Sequence, residues 1–199
     1  MIPEIATMSP TIIRKITLED YLAYDDGSDR CYELDEGNLV LMPPATGKHE
    51  LIISYLINYF FQFVQEQGLD LFAYPSGIQF LTSPQQPRKP DLCLISRSQA
   101  QTIWGVSAIL LTPPVLAVEV VSPESVKRDY QIKLREYAQV GVPEYWIVDP
   151  LQEKITVLLL RNGDYLSQEF VGDQVVRSQL FPNWTIKVEQ ILNPLGGII

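Results

Sequence analysis

The chain has 199 residues, 46% of them apolar, which suits one globular domain able to bury a core without disulfide or metal staples. Its 15 basic and 24 acidic residues leave a formal charge of −9, and such a body repels phosphate backbones at long range, so nucleic-acid binding would have to rest on a local basic patch, a metal ion or a second subunit. Cys31 and Cys93 fit no zinc spacing and read as buried thiols, the Met1-Ile2-Pro3-Glu4 start lacks a secretory signal, and the apolar run 51–64 is too short to span a bilayer, so a cytoplasmic protein with no membrane partner is expected.

In chain order, residues 1–14 read as a flexible arm, a single domain fills 15–192, and 193–199 form a tail. Thr17 with Asp20 three residues later is an N-cap with an acidic third position, opening a short helix over 18–24. The segments 31–34 and 39–42 flank Asp35-Glu36-Gly37-Asn38 as a hairpin, which Pro43-Pro44 stops. A long helix follows over 48–67, with Leu51, Tyr55, Tyr59 and Phe63 repeating every four residues and Gly68 just past its end. Strands are expected at 70–74, 77–81 and 91–96, a polar loop at 82–89, and a loop with a short helix at 97–112.

The run 115–121 is almost wholly apolar and reads as a central strand buried on both faces. A helix over 127–140, closed by Gly141, leads to a strand at 144–148. A hairpin over 154–171 turns at Asn162-Gly163, an edge strand is placed at 174–177, and a last helix at 188–192. The order predicts an α/β domain, a mixed sheet flanked by helices, with an N-terminal β-hairpin extension.

Three residues carry candidate chemistry. Glu119 interrupts the buried strand, where a carboxylate is costly unless it is paired, hydrogen-bonded or metal-bound. A neighbouring Arg or Lys would satisfy it as well as a metal would. Asp91 follows Pro90 at the mouth of another apolar strand, a place where ordinary turn aspartates also occur. Hard divalent cations take one or two carboxylates plus water and phosphate, and the carbonyl of Val120 could add an oxygen. At 100° per residue Tyr130, Leu134, Tyr137, Ala138 and Gly141 form the inward stripe of the second long helix. Lys133 lies at the edge of that stripe, free either to reach a buried anion or to pair with Asp129 at the surface.

The series Lys89-Pro90-Asp91-Leu92-Cys93-Leu94-Ile95, Ala117-Val118-Glu119-Val120-Val121-Ser122-Pro123, Asp129, Lys133, Tyr137 and 141–150 (GVPEYWIVDP) resembles the Uma-two family of restriction endonucleases, common in cyanobacteria. Tyr32-Glu33-Leu34, Gly37, Met42-Pro43 and His49 match as well. The resemblance implies a restriction-endonuclease-like core of the PD-(D/E)XK type, cutting DNA with magnesium (Mg2+), or manganese (Mn2+) as a substitute. Asp91 and Glu119, with Val120, would bind the metal. The standard motif puts its lysine two residues after the glutamate, where this chain has Val121. The family's pattern moves the lysine to the following helix, matching Lys133, which would orient the attacking water and offset charge on the phosphate.

Accessory roles implied by the resemblance are a water-mediated metal contact for Glu33, and a phosphate contact or proton shuttle for His49. Tyr137 is a further accessory candidate, although it reads first as core. Arg88 and Lys89 precede Asp91 and could touch phosphate. Trp146 and Trp184 read as core or dimer-contact aromatics. A homodimer is expected because cutting both strands needs two sites. Against the nuclease stands a catalytically silent nuclease-fold binding or assembly module, favoured by the acidic charge and the missing strand lysine. A glycosidase-type carboxylate pair lacks sugar-binding aromatics, and no nucleophile elbow accompanies His49.

Overall fold

The computed structural model describes residues 15–196; the arm expected over 1–14 and the last residues of the tail, 197–199, lie outside them. Helix α1 (Leu18–Leu22) opens on the Thr17–Asp20 capping box. The hairpin β1 (Tyr32–Asp35) and β2 (Asn38–Leu41) follows. Its two-residue turn requires left-handed backbone at both central positions, and Glu36 and Gly37 supply it at φ 47° and 81°.

Helix α2 (Gly47–Glu66) is capped by the Thr46 side chain, which accepts from the His49 amide. Its buried face is Ile52, Ile53, Leu56, Phe60, Phe63 and Val64. This face is rotated from the expected row: Leu51 is exposed, and Tyr55 and Tyr59 sit at the margin. Strands β3 (Leu71–Pro75) and β4 (Gln79–Ser83) then precede β5 (Gln86–Arg88), which lies within the expected polar loop. β5 is buried despite its polarity because its side chains find distant partners. Strand β6 (Leu92–Ser96), helix α3 (Arg97–Thr102), strand β7 (Ile109–Leu110) and strand β8 (Leu116–Val120) come next.

A π-helical segment, Arg128–Lys133, runs directly into α4 (Leu134–Val140), and Gly141 at φ 87° ends it. Strands β9 (Glu144–Asp149), β10 (Lys154–Arg161) and β11 (Asp164–Val171) precede the closing helix α5 (Val188–Leu192). The edge strand expected at 174–177 reduces to a single bridge, Val175 to Lys187.

Six strands form the main sheet in the order β11-β10-β9-β8-β6-β3. β8 and β9 pair in parallel at its centre and the other neighbours are antiparallel, so the sheet is mixed as expected. Alternation along β8 divides the core. Leu116, Val118 and Val120 pack with α2, α5 and an aromatic cluster that includes Phe60, Trp146 and Trp184. Ala117 and Val121 face the opposite layer with Tyr137, Tyr145 and Phe80. Both of these tryptophans are therefore core residues. Cys93 is buried as expected, whereas Cys31 is exposed beside the hairpin, outside the apolar pattern that would have covered it. No helix among the described residues is long and apolar enough to cross a membrane.

Candidate active site

Strand register brings the two acids together. β6 and β8 are antiparallel, with Leu92 opposite Val118, and the next step sets Asp91 opposite Glu119. Directly opposed residues share a face, here the face toward the π segment and α4. Asp91 accepts from the Val120 amide on Oδ2 at 2.7 Å, which ties the mouth of β6 to the end of β8.

The facing helix supplies the cation. Ser125, Asp129, Lys133 and Tyr137 are its four buried inward residues, spaced by four. A regular helix would turn such a row away from the sheet, but i→i+5 bonding underwinds the chain and keeps the row in line. The stripe expected at 100° per residue is thereby displaced: Tyr130, Leu134 and Ala138 are only half-buried. Lys133 Nζ lies 2.6 Å from Glu119 Oε2 and 3.6 Å from Asp129 Oδ1. Tyr137 donates to Glu119 Oε1 at 2.6 Å, and Ser125 donates to Asp129. Glu119, Lys133 and Asp129 are 2%, 3% and 1% exposed.

His49, in the first turn of α2, completes the group. Its Nε2 is 3.3 Å from Asp91 Oδ2, while Nδ1 is 3.4 Å from Glu50 Oε1 but has no hydrogen bond of good geometry. A cleft of about 740 Å³ opens over these residues. Glu33, Lys89, Val120 and Arg128 line it together with His49, Asp91, Glu119 and Lys133. Arg88 is elsewhere: its buried guanidinium binds Glu136 at 2.6 and 2.8 Å and Asp35 at 2.8 Å, so it braces the hairpin against α4 and is not placed to meet phosphate. Tyr137 lies beneath the cleft, behind Glu119.

Charge is unevenly matched. Burial pushes the Glu119 carboxyl up to about 8; Lys133 opposes the rise, and Asp91 and Asp129 reinforce it. Burial likewise raises Asp129. Burial draws the Lys133 ammonium down, but Glu119 and Asp129 outweigh it and keep the lysine charged. Burial also works against ionised Asp91, yet His49, Lys133 and the Val120 amide hold its pKa below the ordinary value. For His49 the cost of burial is outweighed by Asp91, which lifts the imidazole above its usual range. Two buried carboxylates, Glu119 and Asp129, and the partly exposed Asp91 thus share one lysine and one histidine, and burial with this crowding of like charge favours the protonated form of Glu119.

That surplus of carboxylate oxygens fits a hard divalent cation. Among the described residues no three His, Cys, Asp or Glu side chains converge as a ready ligand cage. Asp91, Glu119 and the Val120 carbonyl would be the protein's share, with water and substrate oxygens as the rest, the usual arrangement for magnesium. Ser125 was not among the expected site residues, and Asp129 was expected only as a partner for Lys133. The four-residue spacing of 125, 129, 133 and 137 was the available signal, and it becomes legible once the π turn is known.

A structure with TM-score 0.73 and 20% identity covers 89% of this chain and 98% of its own: the crystal structure of "a putative nuclease belonging to DUF820" from Anabaena variabilis. At that identity the likeness concerns the fold, and it is a nuclease-like one. No curated protein matches the sequence. A family model, Uma2, described as "Putative restriction endonuclease", matches residues 18–189. With most of its length matched by that model, the chain belongs to the Uma2 family of restriction-endonuclease-like proteins.

Proposed function

We propose that this protein is a divalent-metal-dependent endonuclease that hydrolyses DNA phosphodiester bonds, with magnesium as the working ion. The observation that carries this reading is the meeting of Asp91, Glu119 and Lys133, from three separate elements, at the floor of one cleft. Asp91, Glu119 and the Val120 carbonyl would hold the ion. Once bound, the ion supplies Lewis acidity toward the phosphate and lowers the pKa of a coordinated water.

The chain's own side chains do the rest. Lys133 remains an ammonium at neutral pH and presents its protons where the attacking water and a phosphoryl oxygen would meet. Asp129, with Ser125 behind it, restrains Lys133 from the other side. Tyr137 fixes the rotamer of Glu119, and His49 and the Val120 amide fix Asp91. Lys89, on the cleft wall, would meet a neighbouring phosphate, and Glu33 lines the same space from the hairpin.

The test is magnesium- and manganese-dependent cleavage of plasmid and single-stranded DNA by the wild type and by Asp91→Ala, Glu119→Ala and Lys133→Ala, with manganese calorimetry on all four. Metal binding and cutting by the wild type, lost in the folded variants, is the expected result. A second reading is favoured by one feature: Glu119 is already satisfied inside the protein by Lys133 and Tyr137, as a catalytically silent binding module would require. Absence of both metal binding and cleavage would establish that reading instead.

A further inference from the structure

We infer that the DNA taken by this cleft is single-stranded at the point of attack, and that an intact duplex is not its substrate; the inference rests on the nuclease reading above. Depth comes first. Glu119, Lys133 and Asp129 are almost wholly buried, so a scissile phosphate has to descend to them. The cleft above them, about 740 Å³, falls in the range of sites that hold one small molecule or cofactor. It is walled on one side by the hairpin region, through Arg30, Cys31 and Leu41, and on the other by the start of α2 and the π segment. A duplex whose major groove alone is about 12 Å wide overfills such a space, whereas one strand with its bases turned out can thread it.

Charge points the same way. Duplex DNA carries one negative charge per ~1.7 Å of axis and a single strand half of that. A chain with a formal charge of −9 is repelled by the flanks of a duplex along its whole length. The cations it offers are local. Lys89 and Arg128 line the cleft and form no ion pair among the described residues, and Arg128 Nε is buried there without a hydrogen-bond partner. With Arg30 on the hairpin side, that is enough for two or three phosphates of one strand.

The experiment measures fluorescence anisotropy of the full chain carrying Glu119→Gln, so that substrate survives, with one oligonucleotide as a single strand, as a blunt duplex and as a duplex bearing an unpaired flap. Wild-type cleavage positions are mapped on the same three DNAs with manganese. The single strand and the flap are expected to bind at least about tenfold tighter than the blunt duplex, with cuts confined to unpaired nucleotides. Lys89→Ala and Arg128→Ala are each expected to weaken single-strand binding several-fold and to flatten its salt dependence. Equal or tighter binding of the blunt duplex, cuts inside paired DNA, or no binding to any of the three overturns the inference. Cleavage of the duplex alone would sink it while leaving the nuclease reading intact. Selective single-strand binding with no cleavage at all would uphold strand preference and overturn catalysis.

Discussion

Replacing Lys133 with methionine removes the ammonium between two buried carboxylates, Glu119 and Asp129, and leaves the volume nearly filled. Glu119 loses a contact of 2.6 Å and Asp129 one of 3.6 Å, and only Tyr137 and Ser125 remain beside them. Breaking a buried pair from one side costs about 3–5 kcal/mol when the remaining charge cannot escape. Here it can escape, because Glu119 takes up a proton. Its pKa in the folded chain already stands near 8 through burial, well above the ordinary 4.5, and losing Lys133 raises it further. A carboxyl whose folded pKa is raised favours the folded state below the unfolded pKa, and that contribution is lost as pH rises through the folded value. Glu119 titrates in the wild type as well, so the two stabilities diverge only above its value near 8: the destabilisation of Lys133→Met is expected to be small at pH 6 and about 1.4 kcal/mol larger at pH 9, growing by at most about 1.4 kcal/mol per further pH unit. Urea unfolding at the two pH values measures it, and Glu119→Gln combined with Lys133→Met should remove most of the pH dependence. An equal loss at both pH values, or a double variant showing the full sum of the single losses, would refute this account of the pair.

Tyr137→Phe deletes one buried hydrogen bond to Glu119 and is expected to cost about 1–3 kcal/mol in thermal or urea unfolding, with little change in fold; a neutral result would mean that Glu119 is held by Lys133 alone. Manganese must displace the proton on Glu119, so its affinity should rise from pH 6 toward pH 8 and then level off, with proton release visible by calorimetry in buffers of different ionisation enthalpy. A pH-independent affinity would place the ion elsewhere. Arg88→Met should cost about 2–4 kcal/mol, moderated by the partial exposure of Asp35 and Glu136, and should speed hydrogen exchange across the β1–β2 hairpin; unchanged exchange there would show that the brace is not what holds the hairpin.

What the sequence disclosed was local. The Thr17 box, the Glu36-Gly37 turn and the Asn162-Gly163 turn are written in two to four adjacent residues, and each occurs where its chemistry requires. The central strand was legible because β8 is apolar on both faces. β5 was illegible for the opposite reason. Gln86 and Arg88 are polar, Pro87 lies between them, and all three are buried. What makes their burial tolerable lies far along the chain: Leu34 O and the Glu36 amide for Gln86, Asp35 and Glu136 for Arg88.

The lysine shows how a departure in backbone geometry can accompany a departure in motif. Val121, where the standard pattern places a lysine, is buried among Tyr137, Val142 and Ile147. A lysine there would carry its ammonium into an apolar layer. Lys133 instead reaches Glu119 from the facing helix, and it does so because the π segment sets Asp129, Lys133 and Tyr137 in one line toward the sheet. A strictly α-helical reading put Lys133 at the margin and Tyr130 and Leu134 inside. The i→i+5 turn exchanges those positions, burying polar groups that a regular helix would leave half-wet. Such wide turns are a cost to a helix with nothing to gain from them. Here the gain is the alignment of a hydroxyl, a carboxylate, an ammonium and a phenol on one buried row, which makes the segment the part of the fold most directly shaped by the site.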